Sequence, residues 1–310
     1  MKTITIVVPT YNEKDNIALL YQRIVHLFEG SLSKYCMQLQ FIDNFSTDGT
    51  REEIQLLAER DSRVRAIFNA RNFGFTRSSF YGLTQAQGDC AVMLYADMQD
   101  PPETIPRFVE EWESGAKIVT GIKVKSKESR AMYFIRKCYY HMIHHITEID
   151  HIDQFDGFGL YDASFLSVLH KLDDPLPYFR GIVAEMGFQC KKVPYEQQRR
   201  IYGKSAFNFF RLYDQAMLGI TSYSKIIMRL ATMIGFFVAT VSLAIAAVTF
   251  FYKLFNWDSY PIGSAAIIIG VFFLGGVQLF FIGLLGEYIM SINTRVIHRP
   301  LVVEEKRINF

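Results

Sequence analysis

The chain has 310 residues, half of them hydrophobic, and 33 Lys and Arg against 31 Asp and Glu. A net charge of +2, with no basic cluster interleaved with aromatics, argues against nucleic acid as a partner. The four cysteines, Cys36, Cys90, Cys138 and Cys190, are widely spaced, give no zinc-ligand pattern and suit reduced thiols in a cytosolic domain.

Ile4 to Val8 is a short β-branched run ended by Pro9, which predicts a buried first strand. Apolar residues at helical spacing follow over Asn16 to Phe28. Leu39 to Ile42 predicts a second strand, and the polar loop Asp43 to Asp48 opens a helix from Thr50 to Arg60. Val64 to Phe68 is a third strand, Phe75 to Gln87 a helix and Cys90 to Tyr95 a fourth strand. Ile105 to Ser114 (helix) and Lys117 to Gly121 (strand) complete the regular part. This alternation predicts an α/β fold, a mostly parallel sheet with helices on both faces and functional groups in loops after the strands.

Beyond it the character changes. Lys123 to Arg136 is highly charged and leads into Tyr133, Phe134, Tyr139 and Tyr140, which reads as an amphipathic helix, on the sheet or at a membrane interface. Residues 207–229 read as a second, interfacial amphipathic segment. Leu230 to Tyr252 and Tyr260 to Gly286 are uncharged and each exceeds the roughly 20 residues needed to cross a bilayer. With only Lys253 to Ser259 between them, they predict a transmembrane hairpin. Lys225 and Arg229 precede the pair, and Arg295, Arg299, Lys306 and Arg307 follow it. That charge bias places a catalytic domain (1–206) and a tail (291–310) in the cytoplasm, on either side of a hairpin spanning 230–290. Near Met1 there is no long apolar segment of the secretory kind. Gly235, Gly270, Gly275, Gly276, Gly283 and Gly286 permit close helix packing in a bilayer, so a homo-oligomer is expected.

Several polar residues stand out as candidates for chemistry. The loop after the fourth strand carries Asp97, Gln99 and Asp100, oxygen ligands of the kind that hard divalent ions take. Asp100 is also placed to cap the following helix, which Pro101 and Pro102 would start. Arg200 and Lys204 flank Gly203 and could converge on an anion just before the membrane segments, and Arg180 beside Gly181 is a further cation. Arg71 or Arg77 could lie near a pyrophosphate, and sequence does not choose between them. His141 and His145 are four apart but lack the acidic partner of a zinc protease, and no GxxxxGK[ST] loop exists.

Val7-Val8-Pro9-Thr10-Tyr11-Asn12-Glu13, the stretch Ile42 to Thr50, Arg71-Asn72-Phe73-Gly74 and Asp97 to Pro102 together resemble the family 2 (GT-A fold) glycosyltransferases. Tyr178 to Gly181, Arg200 to Ser205 and the hairpin make the chain similar to the polyprenyl-phosphate group. That group includes dolichyl-phosphate mannose synthase and the bactoprenol glucosyltransferases of O-antigen modification. The resemblance implies transfer of a sugar, with inversion, from a nucleotide sugar to a polyprenyl phosphate such as undecaprenyl phosphate, with UDP-glucose a preferred donor and GDP-sugars second. It places Pro9, Tyr11, Glu13, Asp43 and Asn44 in the nucleotide pocket, Asp97 and Gln99 on Mg²⁺ or Mn²⁺ and the diphosphate, and Asp156 near the acceptor. Arg180, Arg200 and Lys204 would grip the acceptor phosphate, with Asp97, Asp156, Arg200 and Lys204 forming the catalytic set. It further implies an inner-membrane enzyme supplying lipid-linked sugar for surface glycans, alongside a flippase and a downstream glycosyltransferase. Three positions depart from the family pattern: Tyr95 replaces the first Asp of Asp-Ala-Asp, Asn44 replaces the second Asp of a pair, and Gly159 stands where Arg is common. A processive polysaccharide synthase is the competing enzyme reading, but the Gln-x-x-Arg-Trp pattern is absent. A non-catalytic membrane scaffold on a transferase fold is the other, favoured only by Tyr95.

Overall fold

The computed structural model describes residues 1–125, 152, 154–198, 217–218, 233–234, 236–237, 240–241, 255, 264–297 and 299–310. Its centre is an eight-stranded sheet in the order β7-β5-β6-β4-β1-β2-β3-β8. The strands are β1 (Thr3–Thr10), β2 (Cys36–Asp43), β3 (Val64–Asn69), β4 (Cys90–Met93), β5 (Ile118–Lys125), β6 (Gly159–Asp162), β7 (Cys190–Glu196) and β8 (Glu304–Ile308). β1 lies between β4 and β2, and Ile4, Ile6, Val7 and Val8 are fully buried. A strand buried on both faces needs the continuous apolar run that its sequence shows.

The helices are α1 (Lys14–Glu29), α2 (Thr50–Arg60), α3 (Phe75–Thr84), α4 (Ile105–Glu113), α5 (Ala163–Leu169), α6 (Phe179–Glu185) and α7 (Ser264–Val296). Ile17 and Leu20 of α1, Ile54 of α2 and Phe108 of α4 pack into one core. Phe80 and Leu83 of α3, Phe165 of α5 and Ile182 of α6 pack into another. Helices therefore cover both faces of the sheet, as expected for a three-layer α/β domain.

The sheet is more mixed than its first half implies. Pairings β1–β2, β1–β4, β2–β3 and β5–β7 are parallel, whereas β4–β6, β5–β6 and β3–β8 are antiparallel. Strand β5 runs on to Lys125 instead of stopping at Gly121, so Lys123 is a strand residue and not the start of an amphipathic helix. Residues 126–150, including His141 and His145, the first predicted span (apart from a few helical residues), most of the interfacial segment 207–229 and both Arg200 and Lys204 lie outside the described residues. The second predicted stretch falls largely within α7, a single helix of 33 residues. Among the residues whose side chains are described, no helix is long and apolar enough to cross a membrane. In α7 those side chains begin at Leu274, so the apolar character ahead of it is read from sequence alone.

After α7 the chain returns to the sheet. β8 pairs antiparallel with β3, and the side-chain amide of Asn309 donates to the carbonyls of Ala58 and Val64 at 2.7 and 2.8 Å.

At the other side of the sheet, Asp162 ties three elements together. Its carboxylate accepts from Trp112 Nε1 at 2.7 Å, Lys117 Nζ at 3.2 Å and Ser164 N at 3.0 Å, capping α5. Burial alone would raise this carboxyl, but the bonds from Ser164, Trp112 and Lys117 outweigh it and hold the pKa at about 2. A depressed folded pKa stabilises above the unfolded value near 3.9, and that stability is lost as pH falls through about 2. Asp162→Asn should therefore cost about 2 kcal/mol at neutral pH. Melting curves of the two proteins should converge as pH is lowered from about 4 toward 2; a gap that persists unchanged would contradict the assignment.

Candidate active site

The C-terminal ends of β1, β2, β4, β5 and β7 share one edge of the sheet, where α/β folds place their ligands. Sequence-separated polar groups meet there. From β2 comes Asp43, fully buried, whose Oδ2 accepts from Phe45 N at 3.0 Å and Ser46 N at 3.1 Å and lies 3.4 Å from Arg51 Nε. Burial raises its pKa, and the bonds from Ser46 and the Arg51 charge oppose that. Its Oδ1 is buried and meets no donor among the described residues. A buried acceptor without a donor costs roughly 1–3 kcal/mol, so this atom is set for a donor from a ligand.

Asn44 is engaged differently. Its Nδ2 donates to Asn72 Oδ1 at 3.0 Å, and its Oδ1 accepts from Phe73 N at 2.9 Å and Asn69 Nδ2 at 3.2 Å. The residue thus ties the β3–α3 loop to the pocket floor. After β1, Tyr11 is 40% exposed at the rim. Asn12 adopts a left-handed backbone (φ 56°), and Glu13 N donates to Thr50 Oγ1 at 2.9 Å. Pro9, partly buried in the same strand, stands opposite Ile42.

The loop after β4 carries the densest charge. Asp97 Oδ1 accepts from Gln99 N at 3.1 Å across Met98, which has a positive φ of 61°. Asp100 does not cap the next helical turn as expected. The turn Pro102–Thr104 has no side-chain cap, and Asp100 is instead buried, accepting from Tyr195 Oη at 2.5 Å. Burial, followed by the nearby Asp156 charge, pushes its pKa up to about 8 against the opposing Lys123. Lys123 reaches in from β5 to pair with Asp156 Oδ2 at 2.5 Å. Burial pulls the ammonium down, but Asp156 and then Asp100 outweigh it and hold its pKa above the usual value. Lys123, Tyr195 and Arg51 were not singled out by sequence. Continued alternation through Ile122 and Val124 was the signal that Lys123 still belonged to a strand.

Tyr95 fills the place of the family's first acidic residue with a phenol that points inward. Its Oη donates to the backbone carbonyl of Asp156 at 2.8 Å. The neighbouring Gly157 makes this possible: a Cβ there would lie 2.5 Å from that hydroxyl, and its φ is +115°. Gly159 is equally constrained, since a Cβ would stand 2.4 Å from Val119 O, so no Arg fits at this register. Arg180, in the first turn of α6, lies near enough for its charge to act on Tyr95.

Among the described residues no three His, Cys, Asp or Glu side chains could hold a metal ion by themselves. Asp97 and the amide oxygen of Gln99, which faces Gln197 Nε2 at 3.3 Å, make a sparse oxygen set. Such a set fits an ion like Mg²⁺ that keeps waters and completes its shell from a ligand's phosphates.

The model of the family described as glycosyl transferase family 2 matches residues 5–169. The SfII prophage-derived bactoprenol glucosyl transferase of Shigella flexneri is 32% identical over 304 residues, 98% of this chain and 97% of that protein. The bactoprenol glucosyl transferase of Shigella phage SfV is 32% identical over 307 residues, 98% and 99% of the two chains. Among solved structures, mannosyl-3-phosphoglycerate synthase from Rubrobacter xylanophilus superposes with a TM-score of 0.50 at 14% identity, covering 76% of this chain and 75% of that one. That likeness supports the glycosyltransferase fold. With a pocket of this construction and similarity along nearly its whole length, the chain belongs to glycosyl transferase family 2 and is a glycosyltransferase.

Proposed function

We propose that the protein transfers a hexose, with inversion, from a uridine-diphosphate sugar such as UDP-glucose to undecaprenyl phosphate at the cytoplasmic face of the inner membrane. The observation that carries this is the extent of the similarity. It covers 98% of the chain, including the apolar C-terminal third, and not only the family domain.

The chemistry suits the site. An ionised lipid phosphate needs no base: its oxygen forms the new bond to the anomeric carbon as the bond to the donor's diphosphate breaks, and charge develops on the leaving diphosphate. Positioning and electrostatics then supply the rate. Asp43 Oδ1 accepts the imide N–H of the base, with Pro9, Tyr11 and Glu13 walling the pocket and Asn44 holding its floor. Asp97 and Gln99 hold the diphosphate side. When bound there, Mg²⁺ or Mn²⁺ supplies positive charge to the leaving group. Asp156, fixed by Lys123, orients the sugar hydroxyls, and Arg180, Arg200 and Lys204 grip the lipid phosphate.

The return of β8 to the sheet supports the topology. Because residues on both sides of the apolar region join one sheet, any crossings between them are even in number, which fits the two uncharged stretches. Cysteine labelling from outside intact cells should reach a probe at Ser259 and miss one at Asn309. The reverse pattern would overturn the membrane reading and the side on which donor is consumed.

A further inference from the structure

A cavity of about 830 Å³ lies apart from the Asp97 loop, between the β3–α3 loop, the segment ahead of α6, the end of α7 and the strand leading into β8. Three arginines line it: Arg71, Arg77 and Arg299. Among the described residues no carboxylate does. Arg77 Nε donates to Pro175 O at 2.8 Å, which fixes the guanidinium, and Arg71 stacks over Phe73 with 4.2 Å to the ring centroid. Burial lowers the pKa of Arg77, and the charges of Arg71 and Arg299 lower it further. Two acidic side chains of this region have other partners: Asp174 faces Arg295 at 3.5 Å, and Glu304 pairs with Arg307. Three guanidinium groups lining one cavity repel one another, and an anion between them relieves that repulsion.

The rest of the lining is mostly apolar, with Leu176, Ile297, Pro300 and Val303 beside the polar Asn293 and Thr294. That combination fits a phosphate joined to a hydrocarbon better than a fully polar nucleotide diphosphate. The cavity also sits at a telling height. Asn293 of α7 is in its wall, seven residues beyond Gly286, the end of the uncharged stretch. At 1.5 Å per residue that is about 10 Å past the apolar part of the helix, the depth of lipid headgroups.

We propose that Arg71, Arg77 and Arg299 form a phosphate site for an amphiphile, a phosphomonoester carrying an apolar chain, presented from the membrane surface at the foot of α7. The site is separate from Arg180, Arg200 and Lys204, and it rests on the reading that α7 is set in the membrane. Its wall is shared with the donor pocket, because Asn72 beside Arg71 is the residue that Asn44 grips.

The test uses the full chain in phosphatidylcholine nanodiscs, titrated with farnesyl phosphate, inorganic phosphate and UDP. Farnesyl phosphate should occupy two sites on the wild type. Binding at one of them should weaken at least about tenfold in Arg71→Ala/Arg299→Ala, as expected when charge-assisted contacts are removed, while the site at Arg180, Arg200 and Lys204 is kept. UDP affinity should stay within about twofold, because the Asp43 pocket is intact. Arg71 and Arg299 are exposed, so the variant should melt with the wild type; Arg77→Lys, which keeps the charge and loses the fork, should give an intermediate loss. Unchanged binding of farnesyl phosphate would overturn the proposal. Loss of UDP or inorganic phosphate binding in step with farnesyl phosphate would assign the cavity to a soluble anion and overturn it equally. Failure of the membrane reading is seen separately, as release of the wild-type chain from membranes by alkaline carbonate.

Discussion

Asp97→Asn should lower the rate of sugar transfer by at least about tenfold, the equivalent of 1.4 kcal/mol or more of lost transition-state stabilisation. The substitution is close to silent for the fold. Asp97 Oδ1 accepts from Gln99 N, and the amide oxygen of Asn can accept the same bond. What disappears is the negative charge that the proposed mechanism sets beside the donor's diphosphate. Melting temperature should therefore stay near that of the wild type while turnover falls. Wild-type turnover in the purified variant would remove Asp97 from the reaction.

Lys123→Met should be the most destabilising single change in the site. Lys123 and Asp156 are paired at 2.5 Å with side-chain exposures of only 15% and 24%, and Asp100 lies near them, buried. Removing one partner of a buried ion pair leaves the other charge uncompensated and costs about 3–5 kcal/mol. The double variant Lys123→Met/Asp156→Asn removes both charges and should recover most of that stability. It should not recover transfer, since Asp156 no longer presents a carboxylate. Thermal melting and turnover, measured on the same four proteins of this cycle, separate the two effects. Equal stability of Lys123→Met and wild type would show that the pair does not hold the site together.

Much of the fold was legible because its first half is made of local signals. Thr50–Arg60 is a helix with the bounds its sequence predicts, and the first three strands contain the predicted runs Ile4 to Val8, Leu39 to Ile42 and Val64 to Phe68. The donor-side loops follow from that, since strand ends in a parallel sheet place them. Antiparallel β6, parallel β7 and the edge strand β8 were not legible, because each is decided by pairing with residues far along the chain. Glu304–Ile308 carries mostly charged residues, which suit an exposed edge and look like a solvated tail in isolation. The same distance effect hid half of the site. Asp100 looked like a helix cap because Pro101 and Pro102 follow it, but its partner Tyr195 is ninety-five residues away. Tyr95 looked like a defect in a metal motif until Gly157 supplied the space for its hydroxyl.

The central claim is transfer to a lipid phosphate, and the direct measurement is product formation by the purified full chain in detergent or nanodiscs. Radiolabelled UDP-glucose is supplied with undecaprenyl phosphate and Mg²⁺ or Mn²⁺, and label is followed into the organic phase. A single product is expected, dependent on the lipid and the metal, labile to mild acid and bearing one sugar with inverted anomeric configuration. Lengthening polysaccharide would support a processive synthase instead. No lipid-soluble label from any UDP- or GDP-sugar, by protein that binds the nucleotide, would contradict the account.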